Sequence, residues 1–161
     1  MRIVSLVPSL TLTLFDLGLD ATSLVGRTPW CIHPAEQVGD VPVVGGTKTP
    51  TLSKIKGAQP DLVVMDRDEN PKSVHDWCVA NGLPTFVCDV RHPRDVPAML
   101  RELGQAVNRS GVAEVHARAI EAMLRRAPDT NGRTALPLIW HRPLMAANGT
   151  TYAGHMLACL G

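Results

Sequence analysis

Pro60-Asp61-Leu62-Val63-Val64-Met65 is the stretch on which the fold turns. Four apolar residues in a row, introduced by a proline and an acid, suit a strand covered on both faces, as strands of parallel sheets are. On its N-terminal side residues 51–57 read as a short helix. On its C-terminal side Asn70 caps a helix, Pro71 takes its first turn, Val74, Trp77 and Cys78 face inward, and Asn81-Gly82 ends it. Residues 84–87 make the next strand. Val96, Met99, Leu100, Leu103, Ala106 and Val107 then recur at helical spacing. The same alternation starts at the N-terminus. Residues 2–7 are an apolar run bounded by Pro8, and Leu10, Leu14 and Leu17 come next on one helical face, with Ser9 placed to cap and Gly18 to stop. A short strand at 24–26, a proline-rich irregular stretch through Pro34, another short strand at 41–44 and the turn Gly45-Gly46-Thr47-Lys48-Thr49 complete the pattern. Parallel neighbours need crossovers and helices make them, so the fold class is α/β, an open parallel sheet flanked by helices, over residues 1–107.

The C-terminal third departs from that order. Residues 111–127 read as a further helix, with Val112, Val115, Ala119 and Ala122 on its apolar face and Glu114 with Arg118, Glu121 with Arg125 as pairs four apart on the exposed side. Pro128 to Gly132 breaks it. Residues 134–140 read as one strand and 151–160 as one helix closed by Gly161. One strand and one helix cannot bury each other's apolar faces. The expected organisation is an N-terminal lobe (1–107), a connecting helix and linker (108–132), and the beginning of an incomplete second lobe (133–161), whose open apolar face predicts a dimer. The alternative is that the last strand joins the edge of the first sheet.

Composition narrows the function classes. With 161 residues, 45% hydrophobic, and a net charge of +1, the chain can bury a sizeable core and is not disordered. General nucleic-acid and membrane-surface binding are disfavoured, since both need a basic excess. No apolar run reaches the length of a membrane span. Charge is unevenly placed: residues 1–90 hold seven Lys/Arg against ten Asp/Glu, and 91–161 hold nine Arg against five acids, so the two parts are built for different jobs. Cys31, Cys78, Cys88 and Cys159 lie far apart with no C-x-x-C, which reads as reduced, mostly buried thiols. The chain opens on a strand and not on a leader pattern, so as written it would stay in the cytoplasm.

In an open parallel sheet, ligands bind at the carboxyl ends of the strands, where loops converge and helix N-termini point free N–H groups. That rule selects Pro8-Ser9, residues 27–33, residues 45–49, residues 66–70 and residues 89–92, with residues 140–148 facing them. Trp30 offers a flat face for a ring ligand, or else caps the sheet. Arg27 offers an anion contact, and His33 an isolated imidazole too weakly accompanied to predict a metal. Gly46 and Thr47 lie in a turn able to cradle an anion, although it lacks the spacing of a nucleotide loop. Asp68 and Glu69 favour the dipole of the next helix, or form a docking patch for a basic partner. No catalytic motif is present. Asp89 and His92 are the remaining acid–base candidates, which with His33 define the alternative reading, a cytoplasmic α/β enzyme acting on a small anionic substrate. A cytoplasmic metal-chelate sensor or carrier is a third.

The segments 2–11, 24–34, 41–48 and 60–64, with Ile139-Trp140-His141-Arg142-Pro143 further on, resemble the substrate-binding proteins of cobalamin and iron-siderophore ABC importers, the helical-backbone metal receptors. The resemblance implies two α/β lobes joined by one rigid helix and a non-enzymatic protein with no intrinsic cofactor. It also implies a corrin, haem or ferric-siderophore ligand held in the cleft between the lobes. Ser9, Arg27, Trp30, His33, Gly46, Thr47 and Arg142 would meet that small-molecule metal chelate, and Asp68 and Glu69 would dock on an ABC importer permease. A periplasmic or cell-surface location is implied by the same resemblance.

Overall fold

Strand β1 (Ile3–Ser5) lies inside a four-stranded, all-parallel sheet with β2 (Leu24–Arg27), β3 (Leu62–Asp66) and β4 (Thr85–Cys88), in the spatial order β2-β1-β3-β4. The computed structural model describes residues 1–126 and 134–160. Successive side chains of a strand point to opposite faces, and the core divides accordingly. Ile3, Leu62 and Val64 pack on one side with Leu10, Leu14 and Leu17 of helix α1 (Pro8–Asp16). Two further helices, α5 (Val96–Ala106) and α6 (Ser110–Leu124), contribute Leu103 and Ala113 to the same side. Val4, Val63 and Met65 pack on the other with Ile55 of α3 (Leu52–Gly57) and with Val74 and Cys78 of α4 (Lys72–Ala80). The unbroken run at 62–65 is thus covered on both faces, as its composition predicts.

Several local expectations are corrected. Residues 41–44 do not form a strand. Pro42 has no N–H to give, and the main chain of the segment meets that of β2 through Arg27 N–H to Pro42 O (2.9 Å) and Val44 N–H to Arg27 O (2.9 Å), a single bridge. A one-turn helix α2 (Ala35–Val38) follows the irregular stretch that ends at Pro34, in residues to which the sequence reading assigns no element. Ser9 does not cap α1, which begins one residue earlier with Pro8 and Val7 at the cap position. Asn70 does not cap α4 either; its side chain is drawn inward to the Leu6 carbonyl, among the loops at the carboxyl ends of the strands.

The rotation of α6 also differs from the helical-wheel reading. Ala113 and Ala117 are buried, whereas Val112 and Val115 are exposed. The reason is Gly104 on α5. A Cβ there would lie 2.3 Å from the Ala113 Cβ, so the bare backbone lets the two helices approach along their small residues. That rotation turns Glu114 and Glu121 over α5, where both hold Arg101 (2.6 and 2.7 Å). Arg118 keeps its expected pairing with Glu114 at 2.6 Å, but Glu121 goes to Arg101.

Residues 134–140 form only a three-residue strand, β5 (Leu138–Trp140), paired antiparallel with β6 (Met145–Ala146) in a sheet of its own, so the last strand does not join the edge of the first sheet. Helix α7 (Tyr152–Leu160) touches the lobe beside the 3-10 turn Pro93–Asp95: the His92 and His155 rings lie 4.5 Å apart, and His155 Nδ1 is 3.2 Å from the Arg91 carbonyl oxygen. The expected break at Pro128 to Gly132 and the closing role of Gly161 lie outside the described residues. Among the described residues no helix is long and apolar enough to cross a membrane.

Candidate functional site

The strand order places β1 between β2 and β3, so the chain leaves β1 to one side first and to the other side later. At such a switch point the loops after neighbouring strands part and leave a crevice. A depression of about 590 Å³ lies there. Ser9 enters it from the start of α1, Trp30 from the loop after β2, Gly46 and Thr47 from the glycine turn, and Glu69 from the loop after β3. Sequence reasoning singled out all five separately, and the fold brings them together.

Two local devices hold this arrangement. Gly45 has φ +115°, and a Cβ would sit 2.6 Å from the Thr51 nitrogen, so only glycine closes the turn in which Thr51 N–H reaches Val44 O at 2.7 Å. Asn70, 7% exposed, ties three loops: its Oδ1 accepts from Asp66 N–H (2.8 Å), and its Nδ2 donates to Thr47 O (2.9 Å) and Leu6 O (3.3 Å). Asp66 in turn accepts from Asp68 N–H (2.9 Å) and Glu69 N–H (3.1 Å), shaping the acidic loop from within. Asn70 is the residue sequence reading missed, because an Asn before a helix is more often its cap. Under the floor, the buried Ser5 and Thr11 hydroxyls lie 2.8 Å apart and fix α1 against β1.

Trp30 is 65% exposed at the rim, so its ring face is free and does not cap the sheet. Arg27 turns away. Its guanidinium donates to the carbonyls of Val41 (3.1 Å), Thr28 (3.2 Å), Gly39 (3.2 Å) and Cys31 (3.4 Å), which satisfies an irregular segment that has no ladder of its own. The expected anion contact from Arg27 is therefore replaced by a structural one. His33 is exposed and Arg142 sits in the β5–β6 turn, where its carbonyl accepts from Trp140 Nε1–H at 2.7 Å; neither lines the depression. Lys48 and Thr49 do line it. Asp68 is exposed beside it, and its carbonyl receives the Lys48 ammonium.

The acid–base candidates are committed elsewhere. Asp89 is held by Arg67 (2.6 Å) and Arg91 (3.0 Å), and His92 Nδ1 accepts from Arg94 N–H (3.0 Å) as the cap of the adjoining 3-10 turn. Burial, helped by the Asp66 carboxylate, pushes the Cys88 thiol up to about 11, away from a reactive thiolate. No cluster of three or more His, Cys, Asp or Glu capable of holding a metal occurs among the described residues.

A doubly wound sheet with its crevice at the β1/β3 switch point and an exposed indole at the rim defines an open α/β fold with one candidate site at its strand carboxyl ends. The chain belongs to the periplasmic binding protein family, whose model matches residues 3–150. It is 26% identical over 102 residues to the vitamin B12-binding protein of Pectobacterium carotovorum, a stretch covering 63% of this chain and 36% of that one. The structure superposes on the periplasmic vitamin B12 binding protein BtuF of Vibrio cholerae with a TM-score of 0.82 at 17% identity, over 99% of this chain and 64% of the other. On the periplasmic heme-binding protein RhuT from Roseiflexus sp. RS-1 the TM-score is 0.79 at 25% identity, over 98% and 63%. The chain thus spans about a third of the curated relative and under two thirds of the solved structures.

Proposed function

We propose that this chain is the ligand-capturing part of a solute-binding protein serving an ABC importer for cobalamin or another metal chelate, and that it binds without catalysing. The observation that carries the reading is the convergence of Ser9, Trp30, Gly46 and Thr47 on one depression at the switch point. A flat exposed indole beside a polar turn suits a macrocyclic chelate, whose ring stacks while its substituents find hydrogen bonds. The names of the relatives, vitamin B12-binding and heme-binding, point the same way.

On this reading residues 1–107 are the first lobe, 108–132 the backbone helix and linker, and 133–161 the start of a second lobe facing the ligand from the other side. A continuous helix between lobes resists bending, so capture proceeds with little hinge motion. The acidic loop at Asp68 and Glu69 presents the loaded protein to arginines of the permease. The test is tryptophan fluorescence titrated with cyanocobalamin, haem and a ferric siderophore. Saturable quenching by one of them, lost in Trp30→Ala and kept in Trp140→Ala, is expected; no saturable quenching by any of the three overturns the proposal.

A further inference from the structure

The wall of this depression is rich in donors that nothing among the described residues uses. Helix α1 begins at Pro8, and its first main-chain bond is Thr11 N–H to Val7 O at 3.0 Å. The Ser9 and Leu10 N–H groups therefore have no carbonyl within the helix, no side chain caps them, and no acid stands in the first turn. A helix end alone makes no site, but Thr47 supplies a second observation. It is nine-tenths buried, and its carbonyl is taken by Asn70. Its hydroxyl has no hydrogen-bond partner among the described residues. Every fully enclosed polar side-chain atom of the described residues is satisfied, so this free hydroxyl reaches solvent, and Thr47 is one of the residues that line the depression. Lys48 stands beside it. One proton of its ammonium goes to the Asp68 carbonyl, which holds the side chain over the rim, and two remain.

We propose that this end of the depression is a seat for a carboxylate carried by the bound chelate. The inference rests on the depression being the ligand face, and it adds the chemistry that selects among ligands. Amide, hydroxyl and ammonium donors all demand an acceptor, and a carboxylate is an acceptor at every lone pair. The partial positive charge of the helix end favours an anion in the same place. A monoanion fits better than a phosphate dianion, because Lys48 is the one formal cation among the described residues of this wall and Glu69 opposes it from the β3 side. A chelate with an acidic arm is then held at two points, its ring on Trp30 and its arm at Ser9, Thr47 and Lys48.

The probes are haem, which carries two propionates, and haem dimethyl ester, which has the same ring and metal without the acids, each titrated into the chain with quenching of Trp30 as readout. The free acid is expected to bind on the order of tenfold or more tightly than the diester, as charge-assisted hydrogen bonds to a partly desolvated anion allow. Thr47→Val and Lys48→Gln should each weaken the acid by a larger factor than the diester, so that the ratio between the two ligands falls toward one. Lys48 is exposed, so its variant folds even if Thr47→Val does not. Glu69→Gln should strengthen binding of the acid. Equal affinity for acid and diester, with quenching still abolished by Trp30→Ala, overturns the carboxylate seat while leaving the ligand face intact. Tighter binding of cyanocobalamin, whose corrin ring carries amides, than of haem overturns the seat as well. Absence of binding by all three, and by a ferric siderophore as well, overturns both readings together.

Discussion

Leu62-Val63-Val64-Met65 and Leu138-Ile139-Trp140 are both unbroken apolar runs, and the fold treats them oppositely. The first is at most 7% exposed at every position, between α1 and α5 on one face and α3 and α4 on the other. The second is 56–62% exposed and pairs only with the two-residue strand β6. An apolar run therefore states what a segment can bury and not what is available to cover it. Covering requires elements of matching length on both faces, and the described residues supply them for β3 and not for β5. A two-stranded hairpin has too few neighbours to be stable by itself.

Truncating one side chain in each run tests that contrast. Met65→Ala removes a fully buried side chain and should cost about 2–5 kcal/mol, whereas Ile139→Ala should stay within about 0.5 kcal/mol, read from urea midpoints. Equal costs would break the comparison. A cost at Ile139 that grows with protein concentration would sharpen it, because it would show that a second copy covers β5 in solution.

The next effect is smaller and concerns the polar centre of the well-packed lobe. Asn70→Leu strips partners from the Asp66 N–H and from the Leu6 and Thr47 carbonyls, and should cost about 1–3 kcal/mol. The same change should weaken any ligand that quenches Trp30, since the turn carrying Thr47 loses its tether. Asn148, which bonds only Thr150 and Thr151 near the hairpin, should tolerate Ala within about 0.5 kcal/mol. Gly104→Ala is a comparable probe of the α5–α6 contact: its Cβ has no room beside Ala113, and overpacking there should cost about 1–3 kcal/mol.

How far the sequence announces this structure depends on whether a residue's role is local. The periodicity of 2–17 and 60–107 marks the helices and strands because burial there follows directly from spacing. Ser9, Trp30, Gly46, Thr47 and Glu69 are legible as candidates because the rule of strand carboxyl ends needs only the element order. Arg27, Asn70 and Arg101 are not legible in this way. Arg27 answers carbonyls up to fourteen residues away, and Asn70 reaches back to Leu6. Arg101 replaces the expected partner of Glu121 because Gly104 and Ala113 rotate α6 toward α5. Each role is set by a crossing of distant segments, and no window of sequence contains both sides of it.

The smallest effect comes from that charged contact, and acid separates the two regions by it. The Arg101 guanidinium first, then that of Arg118, holds Glu114 at about 2, against an ordinary value near 4.5, and Arg101 lowers Glu121 in the same direction. A carboxyl whose folded value is depressed stabilises the fold above its unfolded value, and that contribution disappears as pH falls through the folded one. The α5–α6 contact should therefore weaken between about pH 4.5 and pH 2. All four side chains remain a third or more exposed, so water and salt screen the pairs and the effect stays modest. No ion pair among the described residues involves 134–160, so the hairpin has no such dependence to lose. Melting temperatures of the wild type and of Arg101→Met, followed from pH 6 to pH 2, should differ most at the upper end and converge toward the lower. A difference that stays constant across the range would assign the role of Arg101 to the packing of its aliphatic stem over α6 and not to its charge.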